Sequence, residues 1–112
     1  MSTPEAEIEA LVGAGGDADD ILRDVVGALA ERYLWAVILF LEEGELVLGP
    51  QAGAPDPERR TQLRVTWQGE RIAELAIDGA PEKDRRSLER VAELVAAQCL
   101  VGWDTGGEDW DP

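Results

Sequence analysis

The chain has 112 residues, which is the length of one domain, and a formal net charge of −14 from 24 acidic and 10 basic residues. A protein this negative repels nucleic-acid phosphates and anionic lipid headgroups, so we expect it to bind neither nucleic acid nor membrane. No segment has the pattern of a secretory signal or a membrane span, so we expect a cytoplasmic protein. With one cysteine, Cys99, and no histidine, we expect no internal disulfide, no metal site, no cofactor and no Cys-His or Ser-His chemistry.

The chain begins with a segment, residues 1–16, that we interpret as an N-terminal extension. Apolar residues at helical spacing around Ile8 predict a short helix, and a glycine-rich joint follows it. Residues 17–102 are the predicted domain. Its first helix should run from about Asp20 to Tyr33, because apolar residues there recur every three or four positions and would bury one face.

An apolar run from Leu34 to Leu41 is the centre of the predicted fold. Its eight residues are too few to span a membrane, and their Val, Ile, Phe and Trp content favours a strand buried on both faces. Gly44 marks a reversal, after which residues 46–48 should return antiparallel as a hairpin. The next stretch, Pro50 to Glu58, contains three prolines and is predicted to be a loop.

A second hairpin is predicted from two alternating segments on either side of Gly69. A two-residue turn at Gln68-Gly69 would place Leu63 opposite Glu74. A three-residue loop would instead place Leu63 opposite Ile77, and we prefer this register because it keeps apolar residues on one face.

The last helix should begin near Pro81 and end at Gly102. Leu94 and Val101 widen its apolar face beyond what one sheet needs, so we expect a homodimer with both residues at the interface. Residues 103–112 form an acidic tail with two tryptophans. The stripe that should face the sheet comprises Leu88, Val91, Ala92, Val95 and Cys99.

Together these elements predict an α+β fold. Two hairpins that flank the central strand give a four-stranded antiparallel sheet in the order 2-1-4-3, with the helices near residues 20–33 and 82–101 on one face.

The order helix, hairpin, loop, hairpin, helix resembles a GAF domain, a widespread small-molecule sensor module. Local sequence resembles, more narrowly, the GAF-fold free methionine-(R)-sulfoxide reductases. The segments that carry this resemblance are Trp35 with Ile38–Leu41, Glu45–Pro50 with Gly53, Gln68–Asp78 and Arg86–Val95.

The chain also departs from those reductases. Their stretch after the Gly-Pro strand is several tens of residues long, carries the redox cysteines and covers the substrate pocket, whereas only residues 54–61 stand there in this chain, without a cysteine. No catalytic residue is therefore carried over, Cys99 is expected to be a buried structural thiol, and the chain is predicted not to be an enzyme. The sheet face opposite the helices should be uncovered, with residues 103–112 or the N-terminal segment lying across it.

Candidate ligand-binding residues lie on the second hairpin. Its arginines could hold a carboxylate or a phosphate, although we favour their pairing with acidic residues of the same chain. Trp67 either stacks on a ring or belongs to the core. Glu74 and Asp78 share a strand face, as in an acid/base site or on an ordinary exposed sheet. The binding candidates are Arg64, Trp67, Arg71 and Glu74, within a cluster that also contains Arg59 and Arg60.

These observations lead to three functional hypotheses. We expect a non-catalytic GAF-like regulatory module for signal transduction, which senses a small molecule or binds a protein. The alternative is a structural homodimerisation module. A free methionine-(R)-sulfoxide reductase-type enzyme is the third, and the cysteine count opposes it.

Overall fold

The structure, a computed structural model, describes residues 3–101, without the side chains at 100 and 101. Residues 3–101 form three helices, four strands and two short 3₁₀ segments at Pro57–Arg59 and Glu82–Asp84. The helices are α1 (Pro4–Gly13), α2 (Ala18–Arg32) and α3 (Arg85–Val101), and the strands are β1 (Trp35–Glu42), β2 (Glu45–Gly53), β3 (Arg60–Trp67) and β4 (Glu70–Asp78).

All four strands pair antiparallel in the order β2-β1-β4-β3, which confirms the predicted sheet. Helix α2 packs on β1 and β2, helix α3 packs on β3 and β4, and the two helices contact each other on the same face of the sheet. One apolar core fills this interface, with Ala36, Ile38 and Phe40 of β1 facing the helices. The central position of β1 follows from its composition, because only an inner strand buries most of its side chains.

The first hairpin turns at Glu43-Gly44, where both residues have positive φ, 52° and 85°. Its second strand is longer than predicted. The register shifts between Val37 and Leu39, so a bulge at Gly49-Pro50 faces Ile38, and β2 continues beyond it to Gly53. The prediction of a loop from Pro50 was wrong because an edge strand tolerates proline, which lacks only an outward donor there.

The second hairpin differs from both predicted registers. Its turn is the short one, with Gln68 and Gly69 at positive φ, so the preferred three-residue loop was wrong. A bulge between Val65 and Thr66 then shifts the register, so that Leu63 lies opposite Leu75 instead of Glu74. The bulge and the tight turn together keep apolar residues on the helix face.

Helix α1 lies against α2 and α3 and not across the opposite face of the sheet. The Thr3 hydroxyl accepts a hydrogen bond from the Ala6 amide and caps the helix, and Ile8 is fully buried in the main core. The Glu5 amide donates to Ser87 Oγ on α3 at 3.2 Å. The tail at 103–112, for which we predicted a covering role, lies outside the described residues.

Candidate functional site

The sheet face opposite the helices, called the open face below, is organised in rows across the four strands. The pairing registers place Trp35, Asp78 and Arg60 in the first row and Val37, Ala76 and Gln62 in the second. Leu39, Glu74 and Arg64 form the third row. Strand alternation thus brings polar groups of β3 and β4 beside apolar groups of β1.

The first row is held by a dense polar cluster. Arg60 donates to both carboxylate oxygens of the fully buried Asp78, at 2.8 and 2.9 Å, and the Asp56 amide donates to the same carboxylate at 2.6 Å. The guanidinium of Arg60 also lies 4.5 Å from the centroid of the Trp35 ring, whose Nε1 donates to Gln51 at 3.2 Å. This cluster ties the loop, β3 and β4 over one end of β1.

The pKa values of two groups in this cluster differ from their ordinary values. The hydrogen bonds from Arg60 hold the pKa of Asp78 below its ordinary value against the opposing effect of burial, with the Asp56 amide assisting. The same hydrogen bonds raise the pKa of Arg60. Asp78 is therefore a charged structural group at neutral pH and does not have the raised pKa that a general acid needs.

Side chains cover more of the open face than predicted. Trp35 and Val37 of the central strand are 7% and 1% exposed, and Ala76 beside them is also buried. Long side chains on the face, Arg60 over Trp35 above all, supply cover that the short segment at 54–59 does not. Leu39 and Leu41, further along β1, are partly exposed as expected.

The four binding candidates occupy different environments. Arg71 is bound to Glu74, with Nη2 and Oε1 2.5 Å apart, and Glu74 is itself buried. Arg64 lies opposite Glu74 in the third row, yet it is exposed and has no carboxylate within ion-pair distance among residues 3–101. Trp67 is 39% exposed at the end of β3, so of its two predicted roles the core position is wrong and stacking on a ring stays a prediction. The alternation that suggested a core tryptophan is interrupted by the register shift between Val65 and Thr66.

Arg64 also lines a groove of about 430 Å³ between β3 and α3. This volume is within the range of small-molecule sites. The α3 side of the groove is polar, and Arg85 there is paired with Glu89 at 3.3 Å. The lining residues are Gln62, Leu63, Arg64, Thr66, Arg85, Glu89 and Glu93. Sequence reasoning found Arg64 and missed the α3 residues, because helix periodicity marks them only as a solvated face.

The predicted pairing of the arginine cluster is observed for Arg60 and Arg71. For Arg59 and Arg64 the described part of the chain contains no such pair. Sequence reasoning missed the cluster around Trp35, although Arg60 opens β3 and Asp78 closes β4 and the two are direct cross-strand partners.

A second feature that sequence reasoning missed is a square of four leucines at the other end of the open face. Leu39 lies opposite Leu48 and Leu41 opposite Leu46, and we call these four residues the leucine patch. Leu46 and Leu48 are 41% and 57% exposed. The two-residue turn at Gly44 sets this pairing, so the patch could have been derived from the hairpin.

Other candidate residues of the sequence are placed as follows. Burial raises the pKa of the Cys99 thiol to about 12, so almost none of it is thiolate at neutral pH. Leu94 packs partly against the main core, and the side chain of Val101 is not described. Within residues 3–101, no group of three or more acidic or cysteine side chains is placed to hold a metal, and no helix is long and apolar enough to cross a membrane.

No protein-family model and no curated protein sequence matches this chain. Solved structures do match it. The GAF domain of a phosphoenolpyruvate-protein phosphotransferase from Acinetobacter has a TM-score of 0.73 at 12% identity, covering 97% of this chain and 100% of that one. A GAF sensor protein from Burkholderia vietnamiensis has a TM-score of 0.66 at 16% identity, covering 85% of this chain and 84% of that one.

A substrate complex of the free methionine-R-sulfoxide reductase from Staphylococcus aureus also matches, with a TM-score of 0.67 at 17% identity over 86% of this chain and 93% of that one. The fold is therefore GAF-like, as predicted, and is similar to that of these reductases. The prediction that the chain is not an enzyme is contradicted, since reductases stand among the structures most like it. That prediction relied on the short segment at 54–61 and on the single cysteine, and neither is a property of the fold.

Proposed function

We propose that the chain is a GAF-like regulatory module and that it binds a small zwitterion, such as an amino acid, in the groove between β3 and α3. The observation that carries the proposal is Arg64, an exposed arginine of the edge strand that lines this groove and has no carboxylate within ion-pair distance among residues 3–101. Sensor and transferase-associated GAF domains with this fold support the regulatory role.

The groove offers both charges that a zwitterion needs. The guanidinium of Arg64 suits a carboxylate, which it can bind through two parallel hydrogen bonds. Glu89 and Glu93 line the opposite wall and suit an ammonium group, because each keeps an exposed carboxylate beside its arginine neighbour.

The test is calorimetric titration with free methionine-R-sulfoxide, the amino acid that the reductases named above act on. We expect saturable binding that weakens by about tenfold or more in Arg64→Gln, since hydrogen bonds to charged groups contribute about 1.5–3 kcal/mol. Arg59→Gln is the matched control, because Arg59 is also exposed and lies outside the groove.

Two ligand analogues sharpen the result. The methyl ester removes the carboxylate and should bind wild type and Arg64→Gln equally weakly, and the N-acetyl compound tests the ammonium contact. Absence of binding, or equal losses in Arg59→Gln and Arg64→Gln, would refute the groove as the site. Sulfoxide reduction is measured in the same samples, and Cys99→Ser shows whether any turnover uses that thiol.

We also propose a homodimer through α3, with Leu94 and Val101 near the contact. The supporting observation is Leu94, which stays only partly buried on α3 although α1 already packs against that helix. In this arrangement the groove remains accessible, because it lies on the β3 side of α3.

A further inference from the structure

The leucine patch is flanked by acidic residues. Leu39, Leu41, Leu46 and Leu48 form two adjacent cross-strand pairs on the open face, and the β2 pair is exposed. The turn that joins the two strands carries Glu43, and Glu45 opens β2. Glu70 lies at the same end of the sheet, because the β3–β4 turn and the β1–β2 turn are neighbours.

Positive charge is missing from this part of the chain. No lysine or arginine occurs from residue 33 to residue 58, whereas residues 59–90 contain eight of the ten basic side chains. Within residues 3–101, no basic group lies within ion-pair distance of Glu43, Glu45 or Glu70. The patch is therefore an apolar surface with an uncompensated negative rim.

The exposed side chains also belong to an edge strand. Among the described strands, β2 pairs with β1 alone, so the outer backbone groups beside Leu46 and Leu48 have no strand partner there. An exposed edge with apolar side chains is a place where another chain can bind through its backbone and its side chains together.

We propose that the leucine patch and its acidic rim dock an extended segment of another protein, in which apolar side chains alternate with lysine or arginine. The apolar side chains cover the leucines, and the basic ones, which alternate to the other face, lie beside Glu43 and Glu45. The surface does not involve the groove at Arg64 and does not depend on the function proposed for it.

Two other occupants fit less well. A second copy paired through β2 would bring together two chains that each carry a formal charge of −14, and residues 33–58 of that copy contain no basic side chain for the acidic rim. The segment at 103–112 of this chain has four acidic residues and no basic one, so the rim would repel it.

The test measures the fluorescence anisotropy of a labelled peptide that alternates leucine and lysine, added to the full chain at physiological ionic strength. We expect Leu46→Ser/Leu48→Ser to weaken binding by about tenfold or more, as loss of two apolar contacts predicts. Leu34→Ser is the matched control, since Leu34 is 41% exposed, like Leu46, but lies at the opposite end of β1. It should leave the affinity within about twofold.

Charge is tested separately. Glu43→Gln/Glu45→Gln should weaken binding and reduce its salt dependence, and it keeps the proposal testable if the leucine variant does not fold. A peptide that alternates serine and lysine should bind much less than the leucine peptide, whereas Arg64→Gln should bind the leucine peptide as wild type does.

Three results would overturn the proposal. The leucine and serine peptides could bind equally, which would mean general attraction to an acidic protein. Leu34→Ser could weaken binding as much as the double leucine variant. Light scattering could show a dimer that Leu46→Ser/Leu48→Ser abolishes in the absence of peptide, which would assign the patch to a second copy.

Discussion

Asp78 is a buried carboxylate whose ionisation bears on the stability of this fold. Its carboxylate is fully buried and receives two hydrogen bonds from Arg60 and one from the Asp56 amide. We expect Asp78→Asn to lower the free energy of unfolding at pH 7 by about 2–4 kcal/mol, because it leaves Arg60 without its counter-charge and weakens the cover over Trp35. Urea unfolding at pH 7 measures this loss.

The pH dependence follows from the sign of the shift. The pKa of Asp78 is lower in the folded chain than in the unfolded one, so its contribution is complete above the unfolded pKa of about 3.9. The contribution is lost as the pH falls from there through the lower folded pKa. Stability curves of wild type and Asp78→Asn should therefore converge below about pH 4. Glu70→Gln, on the exposed start of the same strand, should run parallel to wild type, and parallel curves for Asp78→Asn would contradict the assignment.

At the level of single residues, the sequence predicted which arginines could pair but not all of the partners. Arg60 and Asp78 become neighbours only once the β3–β4 register is known, and that register depends on a bulge. The lack of an ion pair at Arg64 could not be predicted either. Its cross-strand neighbour is Glu74, and that carboxylate is already bound to Arg71.

The packing of β2 against β1 requires a glycine at position 49. A Cβ at Gly49 would lie 2.3 Å from the Phe40 ring and 2.5 Å from the Ile38 carbonyl oxygen. We expect Gly49→Ala to lower the free energy of unfolding by about 3 kcal/mol, because the bulge or the buried ring must shift to make room. Gly27→Ala is the control, since a Cβ there meets nothing within 4 Å and α2 should gain about 0.5–1 kcal/mol from alanine. A neutral effect of Gly49→Ala would show that the bulge adapts freely.

The elements were the most predictable part of the molecule. Hydrophobic spacing predicted α2, α3 and the central strand, and Gly44 and Gly69 marked the two hairpins, so the sheet order followed although the preferred loop at Gly69 was too long. The bulges were not predicted, because no single residue type marks a bulge. Each one reconciles the register that a tight turn sets with the register that keeps apolar residues on one face. The groove could not be predicted either, because it forms only where α3 packs beside the edge of β3.

On the scale of the whole molecule, net charge opposes self-association. Each copy carries a formal charge of −14, so two copies repel each other before any apolar contact forms. Salt screens this repulsion, with a Debye length of about 30 Å at 0.01 M and about 3 Å at 1 M. A homodimer held by apolar contacts on α3 should therefore become more stable as salt is added, the opposite of a complex held by ion pairs.

We expect light scattering of the full chain to show a dimer whose dissociation constant falls by about tenfold or more between low and high salt. Leu94→Glu should shift the chain to monomer at every salt concentration, since it places a charge in the apolar contact. Because Leu94 also packs partly against the core, unfolding of this variant is measured alongside, and the monomer must be folded for the result to count. Ala54→Glu adds the same charge to the exposed loop and should dimerise almost as wild type does. A wild-type monomer at high concentration and high salt, or equal losses in the two variants, would place Leu94 outside any interface.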